Sequence, residues 1–419
     1  MSLLLLFAII VLLLVLRQNL VAILLVVAAY IHLVYGDGVL EYIIEDMYIA
    51  ADKEVFLALP LFILCGSVMT RGAIAQRLID VIKAFTSPLP GGLAVTTILS
   101  CAVFAAISGS SPVTLLAIGT IMYPALLKEG YSKKFALGAV TSGGTLGIVI
   151  PPSIPMILYG IVTETSVVEL FIAGIIPGIL LTLVLSGYAL FANRRLPSKP
   201  WDIVQIKSAL RDGIWSMLMP IILLGGIYSG FFTPTEAAAV ALFYSIIIEL
   251  FVHKEVTLRD LYDTAVSTTQ MFGTLFPLVA IAMSLNILLA TQQVPDMVAN
   301  WMTSVVDNRI MFILGLNILL LIVGCFMDII SAILILAPVL LPAAIAYGIE
   351  PVHLGVIMVL NLEIGFLTPP VGFNIIVAMT AFKEKFWLIA RGVLPFIALM
   401  LAVLVFVSLV PSVSMFLVR

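Results

Sequence analysis

Charged residues are scarce in this sequence. Its 419 residues include 20 lysines and arginines and 23 aspartates and glutamates, together 10% of the chain. Soluble domains carry roughly 25% charged residues, so these side chains are too few to cover a soluble surface of this size. The net charge of −3 also excludes the basic surface of a nucleic-acid-binding protein. The composition therefore argues against a soluble enzyme, a nucleic-acid binder and a disordered scaffold.

Cysteine and histidine are equally rare, with three of each. An odd number of cysteines dispersed through apolar runs predicts no disulfide framework. The histidines are just as scattered, so the sequence contains no visible metal-binding motif. The six residues are Cys65, Cys101, Cys325, His32, His253 and His353.

Apolar residues, by contrast, make up 63% of the chain, and its mean hydropathy is +1.25. A transmembrane helix needs about 20 mostly apolar residues, which predicts an all-α polytopic membrane protein with about ten to twelve spans. Further segments are expected to enter the bilayer without crossing it. The run 3–16 is predicted to be membrane structure, because no basic segment typical of a cleaved signal precedes it. The acidic segment 37–54 is predicted to be a loop.

Two polar segments interrupt the apolar runs. Arg17, Gln18 and Asn19 predict a tight turn between two short helices. The segment 193–211 carries five basic residues, so the positive-inside rule places it in the cytoplasm. This segment lies near the middle of the chain, which suggests a comparison of the two halves.

The two halves share a G-x-x-x-P-P motif, at 147–152 in the first and at 365–370 in the second. We call the distance along the chain between these two copies the repeat offset. Ser110 precedes Pro151 by the same number of positions as Asp328 precedes Pro369. Each polar break is predicted to open a proline-interrupted hairpin, near 108–127 and 328–348.

Matching breaks in two halves are typical of a transporter binding site. The alternative is that the prolines only kink membrane spans, where proline is commoner than in soluble helices.

These motifs are suited to bind a cation. A Pro-Pro pair removes two N–H donors and leaves upstream carbonyl oxygens unpaired, and glycine allows close approach of the backbone. Carbonyl oxygens can replace the hydration shell of an ion, and hard oxygen ligands favour Na⁺ over soft metals. The candidate ligands are Gly147, Ile150 and Pro152 near Ser108 or Ser110, and Gly365, Thr368 and Pro370 near Asp328 or Asn361.

Three acids lie in or beside apolar runs, where charge is costly and commonly functional. Asp328 either binds an ion or caps the following helix. Glu363 either takes part in the site or is a hydrogen-bonded packing acid. For Glu236, the sequence 233–236 favours a capping box with proline at the first helical position.

Two short motifs resemble those of enzymes but lack key residues. The glycine-rich run 141–147 has no lysine of a phosphate-binding loop. The sequence 108–112 lacks the terminal glycine of a nucleophile elbow, and no histidine is placed to act as its base. The chain is therefore predicted not to be an enzyme.

Taken together, the segments 59–64, 143–155, 232–240 and 364–370 resemble the large membrane (M) subunit of tripartite ATP-independent periplasmic (TRAP) transporters, the DctM-like family. The resemblance covers essentially the whole chain. It implies a multi-pass protein of the bacterial cytoplasmic (inner) membrane with an ion-transporter-superfamily elevator architecture. The inverted repeats would be 1–200 and 201–419, and both would contribute to a scaffold and to a mobile transport domain. Relatives often have Gly-Val-Pro where this chain has residues 17–19.

The resemblance also implies Na⁺-coupled import of a small organic anion, such as a C4-dicarboxylate or sialic acid, by an elevator mechanism. The implied partners are a small four-helix membrane subunit (Q) and a periplasmic substrate-binding protein (P) that delivers the solute. The alternative is a stand-alone Na⁺/organic anion symporter that needs no binding protein. Carried over residue by residue, the implied Na⁺ sites are Ser108, Gly147, Ile150 and Pro152, and Asp328, Gly365, Thr368 and Pro370, with the solute near Ser110, Ser111, Asn361 and Asn374.

Overall fold

The computed structural model describes residues 2–16, 18–36, 38–198 and 200–418, and every regular element in these ranges is helical. A 3₁₀ turn, Glu54–Leu57, and a π-helical turn, Ile248–His253, join neighbouring helices. The α-helices are α1 (Ser2–Val15), α2 (Leu20–Tyr35), α3 (Glu41–Ala51), α4 (Ala58–Arg71), α5 (Ile74–Thr86), α6 (Gly92–Ser108), α7 (Ser111–Lys128), α8 (Lys133–Gly144), α9 (Leu146–Val149), α10 (Ile154–Thr163), α11 (Val167–Ala192), α12 (Ile203–Tyr228), α13 (Pro234–Ile247), α14 (Leu258–Thr291), α15 (Val294–Val305), α16 (Arg309–Phe326), α17 (Ile329–Ala346), α18 (Pro351–Phe366), α19 (Phe373–Phe382), α20 (Phe386–Leu409) and α21 (Ser412–Met415).

Ten helical segments within the described ranges are long and apolar enough to cross a membrane. This confirms the predicted all-α, multi-pass architecture. Shorter apolar helices include α6, α18 and α19. All three adjoin one of the polar breaks of the sequence, so the interrupted helices are those that position the candidate site.

The N-terminal region differs in part from the sequence prediction. Asn19 caps α2, because its Oδ1 accepts a hydrogen bond from the Ala22 amide at 2.8 Å. Arg17 of the predicted turn and Lys199 of the basic segment lie outside the described residues. The prediction of an acidic loop over 37–54 is wrong, because α3 occupies most of it. Ile43 and Ala50 are buried on one face of α3, which packs against α14.

The helices recur along the chain with the repeat offset of the motif. The starts of α7 and α17, at Ser111 and Ile329, are separated by that offset, and so are the starts of α8 and α18, at Lys133 and Pro351. The pairs α6 and α16, α10 and α19, and α11 and α20 follow the same spacing to within one position. The long helix α14 is an exception, since its counterpart is divided into α3, the 3₁₀ turn and α4. The sequence repeat is therefore also a repeat of secondary structure.

The first hairpin turns at Gly109 and Ser110, between α6 and α7. Gly109 has φ 58°, in the left-handed region that favours glycine. Residues 111–128 form one helix rather than a hairpin near 108–127. Pro112 lies in the first turn, where no N–H is needed, and neighbouring helices accommodate the internal Pro124.

The second half has the corresponding arrangement. Residues 329–346 are the single helix α17, with Pro338 and Pro342 inside it, rather than a hairpin near 328–348. The chain turns instead at Met327 and Asp328, between α16 and α17. In both halves the polar residues lie at the turn, because the backbone leaves its helical hydrogen bonding there.

Both G-x-x-x-P-P motifs interrupt a helix, as predicted. α9 ends at Val149 and α10 begins at Ile154, while α18 ends at Phe366 and α19 begins at Phe373. The peptide bonds 151–152 and 369–370 are both cis. The first break also contacts the first hairpin turn, because the Ile154 amide donates to the Gly109 carbonyl at 3.2 Å.

Glu236 forms the predicted capping box at the start of α13. The Glu236 amide donates to Thr233 Oγ1 at 3.2 Å, and the Glu236 carboxylate accepts from the Thr233 amide at 2.8 Å. Its role as a cap is therefore confirmed, and Glu236 lies outside the candidate site described below.

Candidate functional site

The first cluster consists of Ser108, Ser110, Thr114, Gly147 and Pro152, at the first hairpin turn and the first break. The Ser108 and Thr114 hydroxyl oxygens lie 2.6 Å apart. A Cβ on Gly147 would lie 2.5 Å from the Ser110 carbonyl oxygen and 2.6 Å from Thr114 Oγ1. Such distances are too short for a Cβ, so only glycine lets α9 approach the turn this closely.

Pro152 belongs to this cluster because its carbonyl oxygen faces the hairpin turn. A Cβ on Gly109 would lie 3.1 Å from that oxygen. Ile150 lies in the same break, where its amide donates to the Leu146 carbonyl at 3.0 Å and its side chain contacts Gly178. The structure thus places Ser108, Gly147 and Pro152 around the first hairpin turn, whereas the side chain of Ile150, in the same break, contacts α11.

What we call the second cluster comprises Asp328 and Ser331 at the second hairpin turn and Gly365, Thr368 and Pro370 at the second break. Asp328 caps α17, since its Oδ1 accepts from the Ser331 amide at 2.9 Å and its Oδ2 accepts from the Ser331 hydroxyl. The Thr368 hydroxyl donates to the Ile364 carbonyl at 2.7 Å, and the Thr368 amide donates to the Gly365 carbonyl at 2.8 Å. The capping interpretation of Asp328 is therefore confirmed, although its half-buried carboxylate also faces the cavity described next.

Gly365 packs against α16 at very short range. A Cβ on Gly365 would lie 2.6 Å from the Gly324 backbone and 3.1 Å from the Cys325 amide nitrogen. Gly324 has no distinguishing motif around it, so sequence reasoning missed it. Only the packing of α16 on α18 shows that two facing glycines are required.

One cavity of about 250 Å³ lies between the two hairpin turns. The first turns of four helices line it: those of α7, α10, α17 and α19. The residues are Ser111 and Pro112, Ile154 and Pro155, Ile329 and Ile330, and Phe373, together with Gly109, Ser110, Asp328, Phe366 and others. Helix N-termini carry unpaired N–H groups and partial positive charge. The cavity therefore has apolar walls and three helix N-termini without an acidic cap, while the Asp328 carboxylate already caps the fourth, that of α17.

Three of the four residues predicted near the solute lie at or directly behind this cavity. Ser110 and Ser111 line it, and the Asn374 amide donates to Ser111 Oγ at 2.6 Å. Asn361 lies elsewhere, because its amide donates to Asn317 Oδ1 at 2.5 Å in a buried contact between α18 and α16.

Glu363 was only one of three candidate acids in the sequence, but it lies beside the cavity. Ser111 Oγ donates to Glu363 Oε1 at 2.7 Å, and the Asn374 amide donates to the same oxygen at 3.0 Å. Asn361 and Glu363 are two positions apart on one helix, and such residues do not share a face. Helical phase therefore directs Glu363 toward the site and Asn361 away from it.

Within the described ranges no group of three or more His, Cys, Asp or Glu side chains is placed to hold a metal ion. The polar atoms of both clusters are instead hydroxyls, carbonyls and one carboxylate. Such oxygen donors suit a hard cation and provide no soft ligand.

A set of membrane helices interrupted at matching points around a central cavity defines the class of secondary membrane transporters. Residues 6–413 match the family model of the tripartite ATP-independent periplasmic transporter, DctM component. The chain belongs to this family, and it is a multi-pass protein of the bacterial inner membrane.

Two relatives and one solved structure illustrate the similarity. The C4-dicarboxylate TRAP transporter large permease protein DctM of Pseudomonas aeruginosa is 42% identical over 88% of this chain and 87% of its own length. The isethionate TRAP transporter permease protein DctMQ of Oleidesulfovibrio alaskensis is 38% identical over 98% of this chain, which spans 64% of that protein. The crystal structure of the Alcanivorax borkumensis YdaH transporter aligns with a TM-score of 0.67 at 16% identity over 90% of this chain and 89% of that one, a likeness of fold.

Proposed function

We propose that this chain imports a small organic anion, coupled to Na⁺, by an elevator movement that carries the cavity across the membrane. The observation that carries this proposal is one cavity that Ser110 of the first cluster, Asp328 of the second cluster and the first turns of four helices line together. An anion held there would lie between two groups of oxygen atoms suited to Na⁺. Na⁺ bound first would order both breaks and so complete the anion site.

The choice of an organic anion is supported by two features. The N-termini of α7, α10 and α19, which have no acidic cap, favour negative charge at the cavity, and the two relatives named above are described as permeases for C4-dicarboxylates and for isethionate. The phenylalanines Phe366 and Phe373, whose ring centroids lie 5.0 Å apart, cover part of the cavity with apolar surface. A small carbon skeleton with a charged end group fits both features.

The proposal includes a soluble periplasmic binding protein that delivers the solute and a small membrane subunit. The family description names a tripartite, periplasmic system, which supports both partners. If two Na⁺ accompany a monovalent anion, one net positive charge enters, and the membrane potential contributes roughly 2.3 kcal/mol per 100 mV. A dianion with two Na⁺ would move no net charge.

The experiment is uptake of [¹⁴C]succinate into proteoliposomes that contain both membrane subunits, with the binding protein added outside. We expect uptake under an inward Na⁺ gradient and little under a matched K⁺ gradient. Uptake that is unchanged without Na⁺ would contradict the coupling. Isethionate serves as the second probe if succinate is not transported.

Omitting the binding protein tests the mode of delivery. We expect uptake to fall to the level of empty liposomes. Full uptake without the binding protein would favour a stand-alone symporter instead.

A further inference from the structure

Glu363 is a completely buried acid that the two clusters do not use. Glu363 and Asn374 are 0% exposed, and Ser111 is 1% exposed. They lie on three different helices: Glu363 on α18, Asn374 on α19 and Ser111 on α7. We call these three residues the Glu363 cluster.

The hydrogen bonds of the Glu363 cluster all converge on one side of the carboxylate. Asn374 donates to Ser111 Oγ at 2.6 Å and to Glu363 Oε1 at 3.0 Å, and Ser111 donates its proton to the same Oε1 at 2.7 Å. Two donors on one oxygen stabilise the ionised form of a carboxyl group. The other two acceptors, Glu363 Oε2 and Asn374 Oδ1, are buried and have no hydrogen-bond donor among the described residues.

Such a pair of acceptors is satisfied by a bound proton, a water molecule or a cation. A buried ionised carboxylate is very costly unless it is paired. No ion pair of the described residues includes Glu363. A bridging water could donate to both oxygens but would not neutralise the charge. A proton on Glu363 Oε2 would neutralise the charge but could satisfy only one further acceptor, whereas a bound Na⁺ would coordinate both oxygens and neutralise the charge.

The Glu363 cluster is not a second copy of either duplicated cluster. At the repeat offset, Glu363 corresponds to Thr145, Asn374 to Met156 and Ser111 to Ile329. It connects the first hairpin turn, through Ser111, to the helices on both sides of the second break. Ser111 also lines the cavity, so the cluster lies directly behind the cavity wall.

We propose that Glu363 and Asn374, supported by Ser111, form an additional Na⁺ site between the two halves, separate from the two sites of the repeated motif. This proposal rests on the proposed Na⁺-coupled function. Its Na⁺ would join α7 to α18 and α19, so that the first hairpin turn and the second break respond together. Its ligands would be Glu363 Oε2 and Asn374 Oδ1.

The test is equilibrium binding of ²²Na⁺ to the purified full chain in nanodiscs, with no solute present. Glu363→Gln keeps the shape of the side chain and its acceptor Oε1 but removes the charge. We expect it to bind one Na⁺ per chain fewer than the unmodified protein. An unchanged number of bound ions with unchanged affinity would overturn the proposal, and would indicate that Glu363 is permanently protonated or hydrated.

Glu249→Gln is the matched control. Glu249 is also 0% exposed in an apolar helical segment, but both its oxygens accept hydrogen bonds, from the Ala73 amide at 3.1 Å and the Ile74 amide at 2.9 Å. We expect Glu249→Gln to bind the full number of Na⁺. An equal loss in both variants would mean that any buried charge affects Na⁺ binding, and would also overturn the proposal.

Two further results keep the test decisive. If Glu363→Gln does not fold, Asn374→Ala is measured instead, because it leaves the carboxylate in place and removes one ligand. Na⁺ affinity at one site should then fall at least tenfold. Unchanged affinity would refute the site. If the unmodified chain binds no Na⁺ at all, the proposed function itself fails. If it binds two ions and Glu363→Gln also binds two, only the additional site fails.

Discussion

The two breaks have the same motif but different surroundings. Residues 151–153 of the first break are buried, whereas Pro370 in the second break is exposed and Thr368 is half-buried. The first hairpin turn offers neutral hydroxyls from Ser108 and Thr114. The second offers the carboxylate of Asp328.

This difference shows that the two halves share their backbone geometry and not the chemistry of their side chains. At the repeat offset, Ser110 corresponds to Asp328 and Thr114 to Ala332. In the buried half, neutral groups avoid the cost of desolvating a charge. In the more exposed half, water can solvate a carboxylate when no ion is bound. We therefore expect the second cluster to depend on charge and the first on packing.

The largest effect is expected at the two glycines. In Gly147→Ala and Gly365→Ala the new Cβ would lie 2.5–2.6 Å from backbone atoms, which cannot move like a flexible side chain. Each change should destabilise the protein by about 1–3 kcal/mol and reduce uptake at least tenfold. Thermal melting and proteoliposome uptake measure the two effects.

Gly187→Ala in α11 is the control, because no described atom beyond its own stretch of helix lies within 4 Å of the added Cβ. We expect normal uptake and unchanged or slightly higher stability. If all three variants behave alike, close packing at the breaks is not what the motif glycines provide. If only one motif glycine is sensitive, the geometric equivalence of the two halves is wrong.

The next prediction compares the loss of a charge, at Asp328, with the loss of a hydroxyl group, at Ser108. Asp328→Asn should raise the Na⁺ concentration for half-maximal uptake about tenfold, and Ser108→Ala about threefold, because bonds to ionised groups are roughly twice as strong as neutral ones. Asparagine is as good a helix cap as aspartate, so the cap of α17 remains and only the charge is lost. Uptake measured at increasing Na⁺ concentrations gives both shifts. Equal shifts would mean that the carboxylate of Asp328 contributes no more than the hydroxyl of Ser108.

A smaller effect is expected at Thr114. Thr114→Val leaves Ser108 Oγ without its 2.6 Å partner and should cost about 1–3 kcal/mol of stability. Thr120→Val on the same helix is the control, since the Thr120 hydroxyl is exposed and bonds to the Leu116 carbonyl. Chemical unfolding compares the two variants. Equal losses would mean that the hydroxyl pair adds nothing specific to the first cluster.

The smallest effect is expected at a contact between the halves outside the breaks. Glu384, in the loop before α20, accepts from Lys133 Nζ and from the Tyr123 hydroxyl. The hydrogen bond from Lys133 holds the pKa of the Glu384 carboxyl below its usual range. Its stabilising contribution is therefore present above the ordinary glutamate pKa and is lost as the pH falls through the lowered value. Lys133→Met should cost about 0.2–1 kcal/mol at pH 7.

Melting temperatures measured from pH 7 down to a pH below the lowered pKa of Glu384 measure this contribution, with Lys134→Met on the neighbouring residue as control. The difference between Lys133→Met and the unmodified protein should begin to shrink below the ordinary glutamate pKa and should be lost below the lowered value. A difference that persists there would show that lysine packing, and not the ion pair, is responsible.

Much of the fold was predictable from local patterns. Apolar runs long enough to span a bilayer identified the membrane helices, and the capping sequence at 233–236 was correct because a cap depends on neighbouring residues alone. Helix α3 in the acidic segment was not predicted, because only two of its positions are buried and its apolar pattern is therefore weak. The predicted hairpins were displaced because proline does not interrupt a helix in its first turn, as at Pro112, nor where neighbouring helices accommodate it inside a membrane helix, as at Pro338 and Pro342.

The sequence by itself determined that the chain folds in a lipid bilayer, that it is helical, that its two halves repeat each other, and where both breaks lie. These depend on composition and on glycine and proline, whose backbone effects act locally. The tertiary structure decided which polar side chains meet. It placed Gly324 against Gly365, turned Asn361 away, and joined Glu363 to Ser111 in the opposite half of the chain. Such contacts depend on helical phase and on packing between the halves, which no local pattern in one sequence specifies.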